Sequence, residues 1–223
     1  MNETRSNGDT GGLSLVLASG SPRRRRLLSL MGLSFETTAP DVDESARAGE
    51  EPEELARRLS LLKARTGADG RAGAVIIAAD TLVVHNGKVL GKPVDASEAE
   101  EMLLELGGGE HTVLSGVALF NAECDRRVVR VVETLVHMRE YTEAEIRRYV
   151  ASGEPMDKAG AYAIQDPDFS PVASIEGCYT NVVGLPLCQL YRMLSSWGVK
   201  APIRPLTCCS MSLETGCSVS QGM

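Results

Sequence analysis

Aromatic side chains are scarce in this 223-residue chain: three Phe, five Tyr and one Trp make up 4% of it. Surfaces that bind RNA or single-stranded DNA stack bases on aromatics, so this scarcity argues against a nucleic-acid polymer as partner. A basic excess is missing as well, with 23 Lys and Arg against 30 Asp and Glu and a formal charge of -7. Proteins that bind polyanionic polymers are usually basic. Any polyanionic ligand must therefore meet a local cationic pocket, which favours a small phosphorylated molecule. No apolar run approaches the roughly 20 residues needed to cross a bilayer. Met1–Gly12 is polar and Gly-rich, without the apolar core of a signal peptide. The six cysteines lack zinc-ligand spacing and the density of a secreted scaffold, which points to free thiols in a reducing cytoplasm. His85, His111 and His137 fall in a predicted turn, loop and strand with no metal spacing, and read as structural. There is no Gly-x-Ser-x-Gly elbow and no Cys/His nucleophile arrangement.

What is present is an ordinary soluble composition, 43% apolar and 24% charged, long enough for one α/β domain or two small lobes. Strand and helix signals alternate. Leu13–Ala18 reads as a buried strand, and Ser21 (N-cap) with Pro22 opens a helix to Met31. Ser34–Thr38 resumes an extended pattern. Pro52 starts a helix with Leu55, Leu59 and Leu62 on one face, followed by a Thr66–Gly73 loop. Ala74–Val84 is an apolar run expected to be a central strand covered on both faces, and Asn86-Gly87 turns it back onto Lys88–Leu90. Asp95 with Glu98 caps a helix to Leu106 that ends at three glycines, and Thr142 with Glu145 caps another. Thr112–Phe120 and Arg127–Arg139 are expected strands, the second half-exposed. A last helix carries Leu187, Leu190, Tyr191, Leu194 and Trp197. The expected organisation is a flexible extension over residues 1–12, one α/β domain with a mixed sheet over 13–199, and a disordered Ser-, Thr- and Cys-rich tail over 200–223.

Leu17-Ala18-Ser19-Gly20-Ser21-Pro22-Arg23-Arg24 places a small-residue turn between a strand and a helix N-terminus. Free backbone N–H groups and the positive end of the helix dipole make that turn an anion site. Four arginines, residues 23 to 26, are unfavourable in a first helical turn unless something anionic lies beside them, and at most one or two can face the turn. A solvated basic face is the alternative.

Asp80-Thr81 interrupts the apolar run. A buried carboxylate without a partner costs several kcal/mol, so Asp80 needs a metal, a cation or a task, or else caps a nearby backbone N–H. Asp41-Val42-Asp43-Glu44 is either a solvated turn or a source of oxygen ligands for Mg²⁺. Gly91-Lys92-Pro93 is either a phosphate-contacting loop or a surface turn, and Lys63 follows Leu62 on the second helix, where solvation is the alternative. The glycines of Ser152–Gln165 permit close approach of a ligand. Lys158 could meet phosphate, and Gln165 could read a base edge with its amide.

Taken together, Leu17–Arg24, Ala79-Asp80-Thr81, Gly91-Lys92-Pro93, Asp157–Gln165 and Asn181-Val182-Val183-Gly184-Leu185-Pro186-Leu187, in this order, closely resemble the Maf family of nucleoside triphosphate pyrophosphatases. The resemblance runs from about Leu13 to Gly198. It implies an elongated α/β fold with two lobes around a deep cleft, like that of inosine triphosphate pyrophosphatase, and a homodimer. It implies hydrolysis of a nucleoside triphosphate to the monophosphate and pyrophosphate with a divalent cation, Mg²⁺ or Mn²⁺. By that pattern Asp80 is the proton acceptor, with Glu44 beside it at the metal or water. Ser19, Arg23, Arg24, Lys63, Lys92 and Lys158 line the triphosphate path. Arg23, Thr81 and Gln165 match the branch acting on dTTP and UTP rather than the sister branch preferring 7-methyl-GTP. Asp166–Pro171 departs from the Gly-rich stretch usual after that glutamine, and Cys178 stands where a small polar or acidic residue is common.

The competing readings are a non-catalytic nucleotide-binding regulator of cell division and an RNA-associated factor using the arginine run. A pure binder gains nothing from carboxylates that repel phosphates, so Asp80 and Glu44 favour the enzyme. Removal of non-canonical nucleotides is one purpose such an enzyme serves.

Overall fold

The computed structural model describes residues 13–205. The expected N-terminal extension, most of the expected tail, and Cys208, Cys209 and Cys217 lie outside the described residues. The elements are β1 (Leu15–Ala18), α1 (Pro22–Ser29), β2 (Glu36–Thr38), α2 (Pro52–Gly67), β3 (Val75–His85), β4 (Lys88–Leu90), α3 (Ala96–Leu106), β5 (Glu110–Asn121), β6 (Arg126–Met138) and α4 (Glu143–Ala151). Two 3₁₀ turns follow (Glu154–Asp157 and Ala159–Ala161), then β7 (Val172–Glu176), α5 (Tyr179–Val183) and α6 (Leu187–Ser196). The strands form one mixed sheet in the order β2-β1-β3-β5-β6-β7, with β4 also on β3. β1 is parallel to β2 and β3, and the other pairings are antiparallel.

Local chemistry sets most of these elements. The Ser21 side chain accepts from Arg24 N–H, and Pro22 occupies the first helical position, where no N–H is needed. Thr142 and Glu145 form a complete capping box. At the first box Asp95 caps Glu98 N–H, but Glu98 reaches back to Val94 N–H instead of to Asp95. Asn86 and Gly87 both take positive φ, 48° and 76°, and so close the two-residue hairpin between β3 and β4. The chain departs from expectation at several boundaries. α1 ends two residues early, α2 runs on through Gly67, and β7 and α5 arise where no periodic signal exists. His111, expected in a loop, lies within β5 at 3% exposure.

β3 organises the core as a central strand should, because its alternating residues face different helices. Val75, Ile77 and Ala79 join a cluster with Leu27 and Leu28 of α1 and Leu187, Leu190 and Leu194 of α6. Two steps further on the same face, Val83 joins a second cluster built on α3 and α4. On the opposite face Ile76 and Ala78 pack with Ala64, and Leu82 packs with Leu55, Ala56 and Leu59, all four from α2. Burying each such leucine contributes about 1.5–3 kcal/mol. α2 can lie this close only because β5 carries Gly116 opposite Asp80. A Cβ there would stand 2.1 Å from the Ala56 carbonyl oxygen.

The polar pair Asp80-Thr81 therefore falls between apolar clusters on both faces at one level of the sheet. The pairing explains why. β1 last pairs β3 at Leu17↔Ile77, and β4 first joins it at Val83↔Leu90, so that edge of β3 has no strand beside residues 78–82. The sheet is notched at this point, at the C-terminal ends of parallel strands, where open α/β sheets place their ligands.

Candidate active site

The notch opens into a cavity of about 410 Å³, within the range of small-molecule sites. All ten residues singled out from the sequence line it: Ser19, Arg23, Arg24, Glu44, Lys63, Asp80, Thr81, Lys92, Lys158 and Gln165. They come from six separate stretches of chain. Five cations meet three carboxylates there, the third being Asp157, so this acidic protein carries a locally cationic cleft.

Asp80 and Thr81 point to opposite faces of β3 and do different work. Asp80 is 5% exposed, and its Oδ1 accepts from Lys63 Nζ of α2 at 2.5 Å. The same ammonium lies 2.6 Å from Glu44 Oε1, which arrives from the β2–α2 loop. Burial opposes ionisation of Glu44, but the Lys63 hydrogen bond and the charges of Lys63, Lys92 and Arg24 outweigh it and hold the carboxyl below its ordinary range. One lysine thus gathers two carboxylates, and the other oxygen of each has no partner among the described residues and can meet water or a cation. Lys63 is the hub of the acidic pair as well as a wall of the cleft, a part that its position on the helix face did not reveal.

On the other face Thr81 Oγ1 accepts from Arg24 at 3.0 Å and lies 2.8 Å from Ser115 Oγ. Arg24 Nε donates to the Gly184 carbonyl at 2.8 Å, and its remaining nitrogen reaches Ser19 Oγ at 3.5 Å. Burial pushes the Arg24 guanidinium below its ordinary value while Asp80 and Glu44 pull it back. Ser115 Oγ also donates to the Asn181 carbonyl at 3.2 Å, so α5 is tied to the floor of the cleft. The sequence reading missed Ser115, whose signal is that of Asp80: a polar residue inside an apolar strand.

At the turn after β1, Ser19 Oγ accepts from Ser21 N–H at 3.2 Å. On the far rim, Lys158 is 7% exposed and held by its own turn, through Glu154 and through Asp157 at 2.7 Å. Asp157 also pairs with Arg23 across the cleft mouth at 3.4 Å. Burial resists that carboxylate, yet the Lys158 hydrogen bond and the Arg23 charge keep it below its ordinary range. Lys92 has no protein acceptor among the described residues and Gln165 is exposed at the rim, so both are open to a ligand.

The Asp166–Pro171 departure is a folded loop. Asp166 Oδ1 accepts from Asp168 and Phe169 N–H at 3.1 and 2.8 Å, and the Phe169 ring stacks on Tyr149 at 4.3 Å. Arg139 binds the Phe169 and Ser170 carbonyls. This anchors the chain that follows Gln165 without glycine. Cys178 is buried as the residue before α5, Cys188 is buried within α6, and Cys124 is exposed. Among the described residues no group of three or more His, Cys, Asp and Glu could hold a metal alone, and no helix is long and apolar enough to cross a membrane.

A solved structure from Vibrio cholerae has a TM-score of 0.33 and 9% identity over 64% of this chain and 74% of that one, too low to bear on the fold. Relatives named dTTP/UTP pyrophosphatase are far nearer. That of Pelotomaculum thermopropionicum is 49% identical over 184 residues, 82% of this chain and 96% of the relative. Those of Symbiobacterium thermophilum and Geotalea uraniireducens are 48% and 46% identical, over 82% and 83% of this chain and 94% and 95% of their own. The profile of the Maf-like protein family matches residues 14–197, the whole notched sheet with its cleft, and the chain belongs to that family.

Proposed function

We propose that this protein hydrolyses nucleoside triphosphates, dTTP and UTP foremost, to the nucleoside monophosphate and pyrophosphate. The observation that carries this reading is the pair of carboxylates, Asp80 and Glu44, gathered by Lys63 inside an otherwise cationic cleft. A protein that only held nucleotides would be weakened by those carboxylates. An enzyme needs them to handle water and a metal. The names of the relatives at 46–49% identity agree with it.

Hydrolysis here requires a water oxygen to bond to the α-phosphorus while the bond from that phosphorus to the bridging oxygen breaks. Pyrophosphate departs with the electron pair, and the water proton passes to Asp80 Oδ. Such transfers depend on positioning and charge neutralisation more than on covalent help. Arg23, Lys92 and Lys158 neutralise the phosphate chain. Lys63, in contact with Asp80 Oδ1 at 2.5 Å, aims that carboxylate. Arg24, bound to Gly184, Thr81 and Ser19, shapes the wall against which the phosphates lie. The Gln165 amide can accept from N3–H and donate to O4, the edge shared by thymine and uracil.

A divalent cation, Mg²⁺ or Mn²⁺, fits this donor set. Mg²⁺ commonly takes one or two carboxylates plus substrate phosphates, and Glu44 and Asp80 each have an oxygen to give. When bound, it supplies charge neutralisation and a lower pKa for water. The separate apolar clusters on either side of the Thr81–Ser115 level support the two-lobed, inosine-triphosphate-pyrophosphatase-like description, with a homodimer and a cytoplasmic location as parts of the same proposal. Incubation with Mg²⁺ and dTTP, UTP, CTP or 7-methyl-GTP, scoring pyrophosphate against orthophosphate, tests the reading. Pyrophosphate from dTTP and UTP, abolished by Asp80→Asn, is expected. Preference for 7-methyl-GTP would move the protein to the sister activity, and tight nucleotide binding without product would make it a regulator.

A further inference from the structure

Glu44 sits in the β2–α2 loop and its carboxylate is more than half exposed, so nothing in its immediate packing explains why it meets Lys63. The explanation lies earlier on α2, at Arg58. Arg58 Nε and Nη2 grip both oxygens of Glu50 at 2.6 and 2.7 Å, and Nη2 also donates to the Ser45 carbonyl at 2.9 Å. The Glu50 carboxylate, 8% exposed in its side chain, further accepts from Arg47 N–H at 3.0 Å. Asp43 Oδ1 accepts from Ser45 N–H at 2.9 Å, which fixes the turn on the other side of Glu44. Glu44 is thus flanked by two pinned residues, Asp43, whose side chain accepts from Ser45 N–H, and Ser45, whose carbonyl accepts from Arg58.

We propose that Arg58, with Glu50, is a positioning residue that holds the 43–50 loop closed and so delivers Glu44 to Lys63 and Asp80; this rests on the catalytic reading of the cleft. The chemistry favours a clamp over an incidental surface pair. A bidentate guanidinium–carboxylate contact constrains both direction and distance, as a lysine cannot. Exposed ion pairs contribute little, whereas this one is mostly covered on both partners. The Arg58 hydrogen bond, followed by Arg47 N–H, holds the Glu50 carboxyl down to about 2, so the clamp persists at every ordinary pH. Arg58 and Lys63 also share one rigid helix. The same element therefore sets where the loop is tied and where Glu44 must arrive.

The test is a cycle of Arg58→Ala, Glu44→Gln and their double variant, with Glu50→Ala as a second route to the open loop and Arg58→Lys as the charge-conserving control. Misplacing a group by about 1 Å costs on the order of 10²-fold in rate. Arg58→Ala and Glu50→Ala are expected to lower kcat for dTTP by roughly 10- to 100-fold, with KM within about threefold. Arg58→Lys should recover little. In the Glu44→Gln background Arg58→Ala should change kcat less than about twofold, because the clamp acts through Glu44. Amide exchange of residues 45–50 should quicken in the clamp variants while α2 stays protected. An equal kcat loss in the Glu44→Gln background would overturn the proposal, as would wild-type kcat with a loosened loop. If Glu44→Gln alone turns over normally, the catalytic reading of Glu44 fails; unchanged loop exchange in Arg58→Ala and Glu50→Ala would then show that the clamp itself is wrong.

Discussion

Lys63→Met removes the ammonium that contacts both Glu44 and Asp80 while keeping the length of the side chain. Asp80 is 5% exposed and Lys63 8%, and their contact is 2.5 Å, so the variant leaves a buried carboxylate without its partner. Breaking a buried pair in this way costs about 3–5 kcal/mol, a large share of the roughly 5–15 kcal/mol that holds a domain together. Most of that cost belongs to the orphaned charge, not to the lost attraction. Asp80→Asn in the Lys63→Met background should therefore recover stability by about 2 kcal/mol or more. Both variants should still hydrolyse dTTP at least about 100-fold more slowly, since the carboxylate or its orientation is gone in each. Urea unfolding followed by circular dichroism measures the first effect, and pyrophosphate release the second. Excess Mg²⁺ should stabilise Lys63→Met more than the native protein, because a cation between the carboxylates replaces the missing charge. Lys63→Met with native stability, or a double variant no more stable than the single one, would refute the reasoning.

Three further outcomes follow from the same geometry. Gly116→Ala drives a Cβ to within 2.1 Å of the Ala56 carbonyl and 2.8 Å of Ser60 Oγ, so α2 must lift from the sheet, at a cost of about 1–3 kcal/mol and with Lys63 pulled from Asp80. A folded variant with native turnover would show that α2 need not lie where it does. Burial, helped by the nearby charges of His85 and His137, lowers His111 from its ordinary value to about 4. The unfolded chain then binds its proton more readily, and His111 contributes stability that is complete above pH 6.5 and lost as pH falls toward 4, about 3 kcal/mol in all. His111→Gln should flatten unfolding free energy against pH in that window, and an unchanged slope would place the titration elsewhere. Arg23→Ala should raise KM for dTTP and narrow the difference between bases, as measured by initial rates on dTTP, UTP and CTP; unchanged values would remove Arg23 from the site.

The cleft was legible in the sequence to the extent that burial conflicts with polarity. Asp80 and Thr81 stand out because neighbours such as Ile76, Ile77 and Val83 leave nothing else to explain them, and the turn at Ser19–Arg24 announces itself through its cap and proline. Partnerships across the fold left no such mark. Lys63 looked like a helix-surface lysine because only the sheet notch and the β2–α2 loop, distant in sequence, give it two carboxylates. The sequence marks Lys158 as a cation that could meet phosphate but does not show that Glu154 and Asp157 hold it. β7 buries Ile175 but neither Ala173 nor Ser174, so its pattern lacks the alternation that betrays a strand. α5 has five residues and no side-chain cap, and it is held by Asn181 bonding to the Val113 carbonyl and Thr134 rather than by helix propensity.

Hydrolysis of dTTP in ¹⁸O-labelled water, with the products separated and weighed by mass spectrometry, tests the central claim most directly. Water delivered from Asp80 to the α-phosphorus puts one ¹⁸O in the nucleoside monophosphate and none in pyrophosphate. Label in the pyrophosphate, or release of labelled orthophosphate instead, would mean that a different phosphorus is attacked and that the carboxylates at the sheet notch do not do what their geometry says.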